Sequence, residues 1–175
     1  DNTIKLNTQL SLQTKPDSAI AVKRLPGRGN HVLVIGTTVC EVWSQVGGEE
    51  NYRRVQSFNI DNGCISISTI AASDEFICWL AKNENNSASI LMTNGSSVER
   101  ISSDGIDYLL STLKHPEQST AIFFRQDGHF FYQLTFFNPA DNLTLFYDFN
   151  TKRFFHASDE NLNFPETKHR YFSHR

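Results

Sequence analysis

The fold that the sequence predicts is an all-β chain, built of about three blade-like antiparallel sheets with one short helix. Three observations predict it. Short apolar runs alternate with Gly-, Asn- and Asp-rich turns along most of the chain. The composition is rich in aromatic residues and poor in Met, with 14 Phe against a single Met, which favours strands. The same strand–turn–strand phrase occurs three times, at an interval near that of a repeating sheet unit.

Residues 1–17 are mostly polar, and Ile4, Leu6, Leu10 and Leu12 alternate loosely enough for one short edge strand. Residues 18–24 alternate weakly. Leu25-Pro26-Gly27-Arg28-Gly29-Asn30 is a loop, because Pro and two Gly do not continue a ladder. Residues 31–36, His-Val-Leu-Val-Ile-Gly, form a continuous apolar run, so this is a central strand covered on both faces. Gly36-Thr37-Thr38 connects it to residues 39–45, where Val39, Glu41 and Trp43 share one face and Cys40, Val42 and Ser44 the other. Tyr52-Arg53-Arg54 follows Gly47-Gly48-Glu49-Glu50 and reads as an exposed loop.

The second copy has a strand over 75–82, a polar turn at 83–86, and strands over 88–92 and 98–101 joined at Asn94-Gly95. That pair suits a turn with positive φ at both central positions. The third copy has strands over 121–126 and 129–137 about Asp127-Gly128, then 143–149 and 153–157 about Asn150-Thr151-Lys152. Between them Ile106, Leu109, Leu110 and Leu113 fall on one helix stripe, with Asp104 as cap, Asp107 in the first turn, and Pro116 as terminator. Counted between the closing strands, Trp43 to Ile101 is 58 residues and Ile101 to His156 is 55. Four-stranded units at roughly this spacing are the mark of a β-propeller, whose rings close with about 4–8 blades. Three blades make a partial, open propeller with adhesive edges. A plain β-sandwich is the competing architecture. The organisation expected is a polar arm over 1–17, a partial propeller over 18–164, and a basic, aromatic tail over 165–175.

A chain of 175 residues suffices to bury a core. A net charge of -3 argues against coating DNA by charge alone. Cys40, Cys64 and Cys78 lie in apolar runs and read as free, buried thiols, in keeping with a reducing compartment. No apolar stretch approaches the ~18 residues of a membrane span, and no secretory leader is recognised. The start at Asp1, without Met, reads as a fragment or processed product.

No catalytic phrase is present: no nucleophile elbow, no zinc-protease helix motif, no P-loop and no dinucleotide fingerprint. Asp141, Asp148 and Asp159 are the carboxylates that could supply glycosidase-like chemistry, but Asp141 and Asp159 lie at turns, where aspartate is expected anyway. The histidines are scattered, with His129 and His156 on aromatic strands. Catalytic, metal-binding and cofactor-binding residues are therefore expected to be absent. The candidate partner-contact residues are Arg24, Arg28 and Asn30 in one loop, with Glu49, Glu50, Tyr52, Arg53 and Arg54 in the other, because these loops are polar and Gly-rich.

Several phrases, in order, resemble one phage family. They are residues 31–43 (HVLVIGTTVCEVW), Gly63-Cys64-Ile65, residues 74–80 (DEFICWL), residues 98–102 (VERIS), residues 128–136 (GHFFYQLTF) and residues 146–152 (FYDFNTK). Together, over roughly 18–164, they resemble the packaged-DNA stabilisation proteins, the tail hub or nozzle components, of short-tailed phages of the Salmonella type. The resemblance implies a structural virion protein and not an enzyme. It implies a β-propeller-like hub of six copies that closes the portal after DNA packaging, links portal to tail needle, and carries tailspikes. It also implies that 175 residues are an internal piece or truncated form of a longer protein, found in the virion tail and assembled in the host cytoplasm. Partners would be the portal protein, the needle, the tailspike and further copies, with no sequence-specific nucleic acid, membrane or small-molecule substrate. A carbohydrate-binding or hydrolytic β-propeller is the alternative.

Overall fold

The computed structural model describes residues 12–47 and 52–157. Within them lie three antiparallel sheets, the first and third simple meanders. The first blade holds β1 (Ala19–Arg24), β2 (His31–Gly36), β3 (Cys40–Gln45) and β4 (Tyr52–Ile60) in that order. The second begins with two short strands, β5 (Gly63–Cys64) and β6 (Ala71–Ala72), which both pair with β7 (Ile77–Lys82) and are separated by a 3-10 turn at Ile67–Thr69. It continues through β8 (Ala88–Thr93) and β9 (Val98–Arg100). Helix α1 (Asp104–Ser111) leads to the third blade, β10 (Ser119–Gln126), β11 (His129–Phe136), β12 (Leu143–Asp148) and β13 (Arg153–His156). The expected blade-like architecture is present.

The three sheets stack by their faces, and period-2 alternation decides which face each side chain serves. Leu33, Ile35 and Val42 of the first blade meet Ile77, Trp79 and Ala81 of the second. The other face of the second blade, Cys78, Leu80 and Ile90, meets Tyr132, Leu134 and Leu145 of the third. Residues 77–81 are fully buried because a middle blade has no free face. The Tyr132 hydroxyl crosses this joint to donate to the Thr69 carbonyl at 2.9 Å. At the first joint the backbones approach so closely that a Cβ on Gly63 would lie 2.1 Å from the Thr37 carbonyl carbon.

Four details differ from expectation. The segment from Tyr52 is not a loop but β4, the last strand of the first blade. The repeat was therefore counted from unlike positions, since Trp43 sits on a third strand and His156 on a fourth. The first strands begin at residues 19, 63 and 119, so the true intervals are 44 and 56, and α1 lies within the longer one. The cap of α1 is Ser103, whose backbone is extended and whose hydroxyl accepts from the Ile106 N–H; Asp104 is the first helical residue. At Asn94-Gly95 only Gly95 has positive φ, at 89°, because the Asn94 side chain instead accepts from the Ser96 N–H. At Asp127-Gly128 both residues do, at 51° and 82°, as a two-residue hairpin turn requires.

The three cysteines are free and buried, and burial pushes the Cys40 thiol up to about 12. Of the edge strand suggested by Ile4, Leu6, Leu10 and Leu12, only Leu12 is described, and it lies in no strand; the other three and the basic tail lie outside the described residues.

Candidate partner-contact surface

Hairpin parity brings both candidate loops to one end of the first blade. The β1–β2 loop and the chain between β3 and β4 leave from the same edge, and the Gln45 N–H donates to the Asn30 carbonyl at 2.7 Å while Gln45 pairs with Tyr52. The first loop is a tied turn. The Leu25 N–H donates to His31 at 2.9 Å and the His31 N–H to Arg28 at 3.1 Å. Leu25 and Pro26 are buried, whereas Arg24, Arg28 and Asn30 are exposed at its rim. The turn at Gly95 packs against this loop so tightly that a Cβ there would lie 1.9 Å from the Pro26 oxygen. Arg24 and Arg28 border an open cavity of about 770 Å³ with Ser73 and Asp74 of the second blade.

The second group divides. Tyr52 is half-buried against Val34, Val39 and Trp43. The Arg54 Nε lies 3.8 Å from Glu41 Oε1, with only 17% of its side chain exposed. Arg53 is exposed beside Ser44. Arg24, Arg28, Asn30 and Arg53 thus share a polar end of the first blade, while Tyr52 and Arg54 serve its packing. Glu49 and Glu50 lie outside the described residues.

Two carboxylates escape a reading of the sequence because their partners are distant along the chain. Glu41 is fully buried, and its Oε1 accepts from the Gln13 N–H at 2.8 Å, the Thr14 N–H at 2.6 Å and the Thr14 hydroxyl at 2.5 Å. Its Oε2 accepts from the Trp43 indole at 3.1 Å. Asp17 accepts from the Ser18 and Thr38 N–H groups, each at 2.7 Å, and from the Thr37 hydroxyl. Partial burial pushes the Asp17 carboxyl up, but the hydrogen bonds from Thr37, Thr38 and Ser18 outweigh it and hold the group below the usual carboxylate range. These contacts fasten residues 12–18 along the first blade.

The carboxylates weighed for catalysis have structural partners. Asp141 accepts from the Lys114 and His115 N–H groups at 2.7 Å each, closing the connection after α1. Asp148 accepts from the Asn150 N–H at 2.9 Å, the Thr151 hydroxyl at 2.8 Å and pairs with His129 Nδ1 at 2.8 Å. Desolvation acts to raise the Asp148 carboxyl, and the donors at Asn150, His129 and Thr151 lower it by more. Asp159 lies outside the described residues. Among the described residues no group of three or more His, Cys, Asp and Glu could hold a metal ion, and no helix is long and apolar enough to cross a membrane.

No curated protein matches the chain. A family model described as "Bacteriophage P22 Gp10, beta-propeller" matches residues 2–155, which takes in all three stacked sheets. The match covers most of the chain and its fold description agrees with the blades seen here, so the chain belongs to this phage stabilisation family, a family of structural phage proteins.

Proposed function

We propose that the chain serves in the tail hub of a short-tailed phage, where it closes the portal after DNA packaging and joins portal to needle and tailspikes. The family match over residues 2–155 is the observation that carries this reading. The architecture suits it. Stacked sheets with buried joints give a stiff body, and the polar blade end offers contact surface without a reactive centre. In this reading Arg24, Arg28, Asn30 and Arg53, with Glu49 and Glu50, meet the neighbouring virion protein. Six copies assemble around the portal in the host cytoplasm and remain in the virion tail.

Mixing the chain with purified portal rings of its phage tests the reading by co-sedimentation. Binding at six chains per ring, weakened by Arg24→Glu with Arg28→Glu, is the expected result. Failure to bind the ring by the full chain overturns the portal role. Binding unchanged by the double variant overturns the contact assignment.

A further inference from the structure

Two loops face each other across the joint between the first and second blades. Arg24 and Arg28 stand on one side and Ser73 and Asp74 on the other, around an open cavity of about 770 Å³. That is room for a few side chains of a partner. Both walls are held firmly. The first loop is tied by its own backbone bonds, and Gly95 packs against Pro26. In the second wall the Ser73 N–H donates to the Phe76 carbonyl at 2.8 Å, and the Ser73 hydroxyl accepts from the Phe76 N–H at 3.0 Å. The third blade supports this turn, with Arg125 at 3.6 Å from Glu75 and the Phe149 ring stacked at 4.7 Å from Phe76. A cleft with fixed walls binds without first having to order them. The charges in it are unspent. Arg54 lies beside Glu41, Arg100 pairs with Asp104 and Asp107, and Arg125 with Glu75. Arg24 and Arg28 are exposed and have no carboxylate in ion-pair range among the described residues, although Asp74 shares their cavity. Arg24 reaches over Gly29, where a Cβ would lie 3.7 Å from its Nη2.

We propose that this cleft takes an acidic segment of a partner protein, with Asp or Glu side chains for both Arg24 and Arg28 and a donor group beside Asp74. The planar guanidinium fork matches a carboxylate in bidentate geometry, so each arginine can hold one acidic side chain in place. Duplex DNA fits less well. Its closely spaced phosphates would run past Asp74 as well as the arginines, and the chain carries a net charge of -3. The inference rests on the contact role proposed above for Arg24 and Arg28 and adds the chemistry of what meets them. It does not require that the partner be the portal.

The test titrates the full chain into fluorescein-labelled octaglutamate at low salt and follows fluorescence anisotropy. Saturable binding is expected, and Arg24→Gln with Arg28→Gln should weaken it at least about ten-fold. Asp74→Asn removes a like charge from the opposite wall and should tighten it about two- to three-fold. Lys114→Gln, at an exposed cation outside the cleft, should leave it unchanged. No saturation up to about 1 mM peptide overturns the proposal. An affinity that Asp74→Asn leaves unchanged puts the peptide outside the cleft and overturns it too. So does short duplex DNA that binds more tightly than octaglutamate and loses that binding in the double arginine variant. If the double variant fails to fold, Asp74→Asn decides. Octaglutamate that does not bind, while co-sedimentation with the portal ring still depends on Arg24 and Arg28, removes this inference and leaves the contact role. A ring that does not bind removes the portal role and leaves the peptide result standing.

Discussion

Glu41 shows how one side chain can hold a segment. A buried carboxylate is tolerated only when its charge is fully answered, and here two backbone N–H groups, a hydroxyl, an indole and a nearby guanidinium answer it. Glu41→Ala should cost about 3–5 kcal/mol in urea unfolding, because it strands buried donors as well as removing contacts. Glu41→Gln keeps an acceptor and should cost less, about 1–2 kcal/mol. A loss below that smaller figure for the Ala variant would show that the arm does not depend on this anchor. Asp17 adds a pH dependence. Its folded carboxyl titrates below its unfolded value near 3.9, so the unfolded chain takes up the proton first. Its contribution is whole above that value and is lost as pH falls through the lower folded one. The urea midpoint should therefore drop on acidification below pH ~4, and Asp17→Asn should flatten that drop. Asp148→Asn should act in the same direction.

At the scale of elements, the joints between blades set the tolerances. Gly95 has a φ of 89° and its missing Cβ leaves room for the Pro26 carbonyl. Gly95→Ala should destabilise by about 2–4 kcal/mol, since strain and a backbone clash add. Gly27, also at positive φ but with nothing within 4 Å, should show only the conformational cost, about 1 kcal/mol, for the same change. Thermal unfolding of the two variants side by side checks the order, and equal losses would contradict the close joint. The strands that could be read in the sequence are those whose signal is local. Residues 32–35 and 77–81 are continuous apolar runs because both faces of their strands are covered. β4 was hidden, because its register shifts between Glu41 and Trp43, where four residues, 55–58, lie opposite Val42 alone, and its alternation is lost there. β5 and β6 were hidden because two-residue strands carry no period. The exposed arginines of the β1–β2 loop were legible from Pro and Gly punctuation. The roles of Glu41 and Asp17 were not, since they exist only once residues 12–18 lie along a hairpin more than twenty positions away.

For the whole molecule, the middle blade decides whether three sheets behave as one body. Its two faces feed separate apolar clusters, so among the described residues it couples the first blade to the third. In a linear array, stability is nearly a sum of unit terms and nearest-neighbour interfaces, and a weak interface lets one unit melt alone. The interfaces here are made of fully buried side chains, each worth about 1.5–3 kcal/mol on burial, which outweighs the instability expected of an isolated four-stranded sheet. One cooperative transition should follow. The two tryptophans make this measurable, because Trp43 reports the first blade's outer face and Trp79 the joint between the first and second blades. Trp43→Phe and Trp79→Phe each leave one reporter, and both fluorescence curves should coincide with far-UV circular dichroism in urea. Leu80→Ala, at the far joint, should then move all three curves together by about 2–5 kcal/mol, although neither tryptophan side chain belongs to that cluster. A Trp43 signal that keeps its midpoint while the circular dichroism shifts would mean that the first blade stands by itself. A stiff three-blade body would then be the wrong physical basis for the hub role proposed above.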